Sequence, residues 1–292
     1  MSHDHNITEI RFNKQFKIAT ILNLAFVVVE LVFGIVTNSL ALISDAGHNF
    51  GDVIGLLIAW GAAYLVQKKP TTRYTYGFKK SSIIAAQLNS LILLVAIGII
   101  IWEAVNRINN PPDVDGAVMM LVAGIGVVIN GITTFLFLSG RKEDLNIKGA
   151  YLHMLADTVI SLGVVISGLI IYLTNLFWID PAISIIIALM IFWSTYKLLR
   201  DSTKLSLDAV PDSINIEDVK LLLDGFQEIN EFHDLHIWAL STTESALTVH
   251  LTIDRKDQSE KILQAIQQKI KERFGITHCT IQIEERKCNN GC

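Results

Sequence analysis

The sequence predicts an α-helical membrane protein with six transmembrane helices, followed by a cytosolic α+β domain. Hydrophobic residues make up 51% of the 292 residues and charged residues only 18%, whereas soluble proteins carry about 25% charged residues. The apolar residues occur in runs that are roughly as long as the ~20 residues a helix needs to cross a bilayer. After residue 207 these runs give way to short amphipathic patterns. The chain therefore divides into a membrane part and a smaller folded tail.

The predicted spans are separated by short polar or charged connections. They cover approximately Phe16–Val36, Leu40–Val66, Ser82–Val105, Gly116–Leu138, Ile147–Leu173 and Pro181–Leu199. The resulting domains are a polar N-terminal tail (1–14), a six-span transmembrane domain (15–206), a cytosolic domain (207–286) and a cysteine-containing tail (287–292).

The connections between the spans predict the orientation of the chain. Six spans place both termini on one side of the membrane. The N-terminal tail, the second and fourth connections and the exit from the sixth span hold 14 Lys and Arg residues, and the opposite side holds only Arg107. Because basic loops stay in the cytoplasm, we expect both termini to be cytoplasmic and the protein to lie in the cell membrane.

The tail reads as a small α+β domain. Apolar residues at helical spacing begin near Ile216 and again near Ile262, and apolar residues alternate with polar ones over 247–253 and 279–283. A further stretch, 232–240, is rich in strand formers. The order α-β-β-α-β predicts helices on one face of a sheet.

Charge and cysteine content exclude two classes of protein. From residue 208 onward the chain carries 15 acidic and 9 basic residues, and it has no basic stripe of the kind that binds nucleic acid. All three cysteines lie in the last 14 residues. An odd, clustered set argues against a disulfide framework and fits reduced thiols in the cytosol.

Two similar stretches carry the main chemical signal. His48 and Asp52 are four residues apart in the second span, and His153 and Asp157 have the same spacing in the fifth. Residues i and i+4 share one face of a helix, so two such helices facing each other provide two nitrogens and two oxygens. This donor set suits tetrahedral Zn²⁺ and disfavours Mg²⁺ and Ca²⁺, which prefer oxygen ligands.

Simple helix packing is the alternative explanation for these residues. A charged side chain at the bilayer centre costs about 2.5–3.5 kcal/mol, and Ser, Thr or Asn would provide interhelical hydrogen bonds at lower cost. The repeated spacing therefore favours a divalent-cation site. Since protons compete for His and carboxylate ligands, exchange of metal for protons is chemically natural.

Four polar neighbours in the first two spans have open roles. Asp45 could orient His48, line the ion path or cap the helix near the outer surface. Asn49 fits an interhelical contact better than a metal ligand. Glu30 and Asn23 could line the entry route or serve packing equally well.

The chain resembles the cation diffusion facilitator family of zinc-efflux transporters. The motifs that carry the resemblance are Ser44–His48 with Asp52, Tyr74–Phe78, Ala150–His153 with Asp157, His233–Trp238 and Thr280–Glu284. The resemblance implies a homodimer in which each protomer has a ferredoxin-like cytosolic domain. It also implies metal–proton antiport by alternating access, with the two His-Asp pairs as transport ligands and Zn²⁺ preferred over Mn²⁺ or Fe²⁺.

The resemblance also suggests metal sites in the tail. It implies that His233, His250 and Glu284 bind regulatory zinc near the dimer interface, with His236 and His278 as further candidates. Cys288 and Cys292 could form a second site with His3 and His5; free thiols in a frayed tail are the alternative.

Other functional classes fit the sequence less well. A zinc-dependent membrane protease would need a His-Glu-x-x-His helix and an open ligand position, and neither is evident, so we expect no enzyme. A metal-gated channel or a metal-sensing membrane protein is the remaining alternative. A closed set of four ligands favours a carrier over a pore. We expect Zn²⁺ to be the transported ion, and Cd²⁺ and Co²⁺ can bind the same four ligands.

Overall fold

A computed structural model describes residue 21 and residues 24–138, 145–253 and 259–284, without the side chains of residues 56, 59, 136, 137 and 145–150. The helices are α1 (Leu24–Val36), α2 (Leu40–Val66), α3 (Ser81–Asn109), α4 (Gly116–Phe137), α5 (Leu145–Thr174), α6 (Ile179–Ser206), α7 (Ile216–Asp224) and α8 (Ser259–Phe274). The strands are β1 (Ile229–Ala239), β2 (Ser245–Ile253) and β3 (His278–Glu284).

The predicted fold class is confirmed. Within the described residues, α2 to α6 are long and apolar enough to cross a membrane, and α1 covers the described end of the predicted first span. The tail has the predicted order α-β-β-α-β. The backbone forms two compact units, namely the described parts of Met1–Leu57 with Asn89–Tyr196, and of Ile58–Leu88 with Lys197–Cys292.

The first unit is a helical bundle with an apolar core and an apolar exterior. Its buried core includes Leu42, Met119 and Val164. Large apolar side chains also cover the outside, where Trp102 and Trp193 are exposed by 72% and 74%. Such an exposed apolar surface is suited to contact with lipid, because the hydrocarbon tails of lipids are as apolar as a protein core.

Two local features hold the helices of this unit in place. The α2 helix begins after a turn at Asn38, whose φ of 56° ends α1. The α4 and α5 helices approach closely at Gly116 and Gly168, since a Cβ on Gly116 would lie 2.6 Å from the Gly168 carbonyl oxygen. Small residues allow membrane helices to pack backbone to backbone.

The second unit is built around a three-stranded sheet of order β1-β2-β3. The β1 and β2 strands are antiparallel, and β2 and β3 are parallel, so α8 provides the crossover that a parallel pair needs. Leu247, Val249 and Leu251 point into a buried core with α7 and α8. Because side chains alternate along a strand, His250 lies on the opposite face of the sheet.

The connection from 67 to 80 packs against this sheet domain within the second unit. Lys79 forms a salt bridge with Glu244, and Lys80 Nζ lies 2.7 Å from Asp208 Oδ1. The backbone N–H of Thr242 donates to Ser82 Oγ at 3.1 Å. These contacts tie the connection and the start of α3 to the β1–β2 turn and to Asp208, which lies between α6 and α7.

Candidate metal centre

The structure brings the two His-x-x-x-Asp pairs of α2 and α5 together in the first unit. His48 Nε2 lies 3.3 Å from Asp157 Oδ1, and His153 Nε2 lies 3.3 Å from Asp52 Oδ2. Within each helix, the His nitrogen and the carboxylate oxygen are 3.6 Å apart. The two imidazole rings meet edge to face, with centroids 6.0 Å apart. Each imidazole therefore faces carboxylates from both helices.

The four side chains differ in their access to the surroundings. The Asp157 side chain is fully buried and that of His48 is 13% exposed, whereas Asp52 and His153 are 30% and 41% exposed. Two of the four side chains are thus largely buried and two are partly exposed. Two nitrogens and two carboxylates converging in this way form a donor set suited to Zn²⁺ and similar borderline ions.

A second polar layer lies beside these four residues. Asp45 is fully buried, and its Oδ2 accepts a hydrogen bond from Ser161 Oγ at 2.9 Å. Glu30 of α1 is also fully buried. Asn23, predicted to line the same route, lies outside the described residues. The hydrogen bond from Ser161 links Asp45 of α2 to α5.

A separate cluster lies on the open face of the tail sheet. His250 Nδ1 is 3.0 Å from Glu284 Oε1, and His233 Nε2 is 3.4 Å from Glu284 Oε2. The ring centroids of the two histidines are 5.2 Å apart. One ligand atom from each of the three residues can lie within 4.8 Å of the others, the spacing of a metal site.

The strand register explains why these three residues meet. His233 and His250 are direct partners across β1 and β2, and Thr252, two residues after His250, is the partner of Glu284. Cross-strand partners share one face of a sheet. All three side chains therefore extend from the face opposite the helices.

Comparison with known proteins identifies the family. Residues 16–205 match the family model described as the cation efflux transmembrane domain, and residues 211–286 match the cytoplasmic domain of the cation efflux protein. The chain belongs to the cation efflux family.

Members of the cation efflux family match this chain over almost its whole length. A cadmium, cobalt and zinc/H⁺-K⁺ antiporter of Bacillus subtilis is 36% identical over 295 residues, which cover 99% of this chain and 94% of the relative. The metal cation efflux system protein CzcD of Cupriavidus metallidurans is 37% identical over 98% of this chain and 90% of its own. The zinc transporter ZitB of Escherichia coli is 32% identical over 99% and 94%.

Two of the candidate tail ligands of this efflux protein lie apart from the cluster. His236 is 64% exposed and pairs with Asp234, at 2.8 Å. His278 is exposed on β3, and its ring meets that of Tyr76 with centroids 5.1 Å apart. The predicted terminal site of Cys288, Cys292, His3 and His5 lies outside the described residues.

Sequence reasoning missed two residues that belong to these sites. Ser161 lies one turn after Asp157, so helical spacing alone could have placed it on the α5 face that meets α2. Asp234 lies in a β-bulge between His233 and His236, with a φ of 54°. That bulge turns its carboxylate toward His250 Nε2, at 3.8 Å. The periodicity of the sequence does not reveal a bulge. The position of the Asp234 carboxylate beside His250 is therefore evident only from the folded backbone.

Proposed function

We propose that this member of the cation efflux family exports Zn²⁺ from the cytosol in exchange for protons, with His48, Asp52, His153 and Asp157 as the transport ligands. The observation that carries the proposal is the meeting of two imidazoles and two carboxylates from α2 and α5 inside the apolar bundle. Charged groups are retained at membrane depth chiefly where they bind or move an ion.

The donor set and the relatives support Zn²⁺ as the cargo. Imidazole and carboxylate suit borderline divalent ions, and Cd²⁺ and Co²⁺ can use the same ligands. Relatives that this chain resembles over nearly their full length are named as zinc transporters and as cadmium, cobalt and zinc antiporters. Protons compete with metal for each of the four ligands, which gives release of the cargo a chemical cause.

The wider arrangement follows from the same family. We propose alternating access in a homodimer whose two termini are cytoplasmic, in the cell membrane. The basic connections support this orientation, and the matched cytoplasmic domain supports a cytosolic tail. The domain boundaries at 15–206 and 207–286 stay predictions. Transport in this scheme involves no catalysed bond change, so no enzymatic activity is assigned.

The tail cluster provides a regulatory site in this proposal. His233, His250 and Glu284 bind cytosolic zinc, with Asp234 as a fourth nearby donor. Metal that binds only the paired tails stabilises the dimer by mass action, and its charge offsets repulsion between acidic domains. The transporter then tightens its dimer when cytosolic zinc is plentiful.

Transport into proteoliposomes tests the main proposal. The wild type should take up Zn²⁺ in a saturable way that depends on an imposed pH gradient, whereas a channel would follow the metal gradient alone. Asp157→Asn should abolish uptake because it removes a fully buried carboxylate that contacts both imidazoles. Asp113→Asn, at an exposed position, is the matched control. Zinc transport retained by Asp157→Asn would falsify the site assignment.

A further inference from the structure

The connection between α2 and α3 carries more positive charge than its contacts in the second unit neutralise. Residues 67–80 include five Lys and Arg side chains and no Asp or Glu. Two of the five, Lys79 and Lys80, pair with Glu244 and Asp208. The remaining three are exposed and form no salt bridge within the described part of the chain. These three free cations are Lys68, Lys69 and Arg73.

The backbone of this connection holds the free cations on a folded loop. Gly77 has a φ of 70°, and its N–H donates to the Tyr74 carbonyl oxygen at 2.8 Å. The Thr71 N–H donates to the same oxygen at 3.0 Å. A Cβ on Gly77 would lie 3.2 Å from the Lys68 carbonyl oxygen. The early and late parts of the loop therefore touch, and the free cations extend from a segment with a defined shape.

The neighbouring end of α2 carries aromatic residues of the kind that mark a membrane surface. Trp60 and Tyr64 are exposed by 76% and 64%, and their spacing of four residues places them on one helix face. Lys68 Nζ lies 5.2 Å from the centroid of the Tyr64 ring. Trp and Tyr are enriched at the level of the lipid headgroups. The free cations therefore begin where the apolar span gives way to the headgroups.

We propose that Lys68, Lys69 and Arg73 bind the phosphate of an anionic phospholipid in the cytoplasmic leaflet. Lys and Arg donate charge-assisted hydrogen bonds to phosphate oxygens. The exposed rings of Trp60 and Tyr64 favour a lipid over a soluble phosphate, because such rings are accommodated at the boundary between acyl chains and water. This site goes beyond the proposed metal export, and it relies on the cytoplasmic orientation given above for this connection.

Binding of such a lipid affects a segment that also contacts the sheet domain. Lys79 and Lys80 of the same connection reach that domain through their salt bridges. A lipid phosphate at the free cations offsets the repulsion among the positive charges of the loop. Because it binds the folded loop and not an unfolded one, it stabilises the folded form by mass action. The content of anionic lipid in the leaflet thus sets the stability of this connection.

Solvation of ordinary surface charges is the alternative explanation for the free cations, since basic connections also orient a membrane protein. The two explanations differ in specificity. Solvated charges attract any anion, and the loss of any two exposed cations of the protein has a similar effect. A lipid site requires an anionic headgroup attached to acyl chains, and it depends on these particular cations.

Lipid binding to the full-length protein tests the proposal. Purified protein in a neutral detergent is titrated with phosphatidylglycerol or with phosphatidylcholine of the same acyl chains, and native mass spectrometry counts the bound lipids. The wild type should prefer phosphatidylglycerol. Lys69→Gln combined with Arg73→Gln should bind it about 30-fold more weakly, at about fivefold per basic residue lost. Lys69→Arg combined with Arg73→Lys keeps both charges and should bind phosphatidylglycerol about as tightly as the wild type.

The matched control removes the same two charges from another part of the tail. Lys271→Gln combined with Arg273→Gln changes two exposed side chains in the last turn of α8, and it should keep wild-type lipid binding. The proposal is overturned if the wild type binds both phospholipids equally, if the Lys69 and Arg73 neutralisation leaves binding unchanged, or if the control loses as much. Displacement of phosphatidylglycerol by glycerol 3-phosphate would also overturn it, in favour of a soluble phosphate. No metal is added in this titration, so its outcome is independent of the proposed zinc export.

Discussion

Ser39 and Asp180 join the starts of α2 and α6 through a fully buried hydrogen bond, with 2.7 Å between Ser39 Oγ and Asp180 Oδ1. The same carboxylate accepts from the backbone N–H groups of Leu40 and Ala41, at 2.7 and 3.1 Å. Asp180 thus satisfies donors that the first turn of a helix leaves unpaired. His48 lies about two turns further along α2, so this contact fixes the start of the helix that carries this proposed transport ligand.

Asp180→Ala should destabilise the membrane unit. The substitution leaves three buried donors without an acceptor, and each unsatisfied group costs about 1–3 kcal/mol. Thermal unfolding of the purified protein, followed by size-exclusion chromatography after heating, should show a clear drop in the midpoint. Asp113→Ala, at an exposed carboxylate in the connection before α4, should leave the midpoint unchanged. Equal midpoints for the two variants would show that the carboxylate does not hold α2.

Gly168→Ala should separate α4 from α5. A Cβ at this position would lie 2.8 Å from the Met120 backbone nitrogen and 3.0 Å from the Gly116 carbonyl oxygen, and backbone atoms cannot move aside easily. The expected cost is about 1–3 kcal/mol, as for overpacked cores. Gly163→Ala is the control on the same helix because nothing lies within 4 Å of its added Cβ. It should be neutral or slightly stabilising, since Ala favours helix by up to ~1 kcal/mol.

His250→Ala should weaken the response of the dimer to zinc. His250 contacts both Glu284 and Asp234, so its loss takes away a proposed ligand and leaves a negative pair. Loss of a residue that only supports a ligand already weakens metal binding about 10–100-fold. In analytical ultracentrifugation of the full-length protein across a zinc series, the variant should therefore need a zinc concentration higher by at least that factor to tighten its dimer. His236→Ala changes an exposed side chain and should behave as the wild type. A His250→Ala dimer that tightens normally would remove the regulatory site.

Cys279 should resist alkylation in the folded protein. Burial raises the pKa of the Cys279 thiol to about 11, and only the thiolate reacts. With Cys288 and Cys292 changed to Ser, iodoacetamide at pH 8 should modify the native protein about 100-fold more slowly than the unfolded chain, whose thiol has a pKa near its ordinary value. The rate at which iodoacetamide modifies the native protein should rise about tenfold per pH unit until the pH nears the raised pKa, because the thiolate fraction rises by that factor. Equal native and unfolded rates would contradict this burial effect.

The two His-Asp pairs show what could be predicted for the site. Four-residue spacing on a helix requires His48 and Asp52 to share a face, and the same rule applies to His153 and Asp157. That the pairs face each other depends on how α2 and α5 pack, which spacing along the chain does not encode. The hydrogen bond from Ser161 to Asp45 and the burial of Glu30 follow from that packing as well.

The sequence by itself determined the membrane spans, because the length of an apolar run must match the thickness of the bilayer, and the buried face of β2, because side chains alternate along a strand. Only the tertiary structure decided which distant groups meet. Strand register brought Glu284 to His233 and His250, a bulge turned Asp234 toward His250, and helix packing placed Asp180 at the start of α2. Such contacts join residues far apart in the chain. Local propensity cannot predict them, because it depends only on residues that are near neighbours in the sequence.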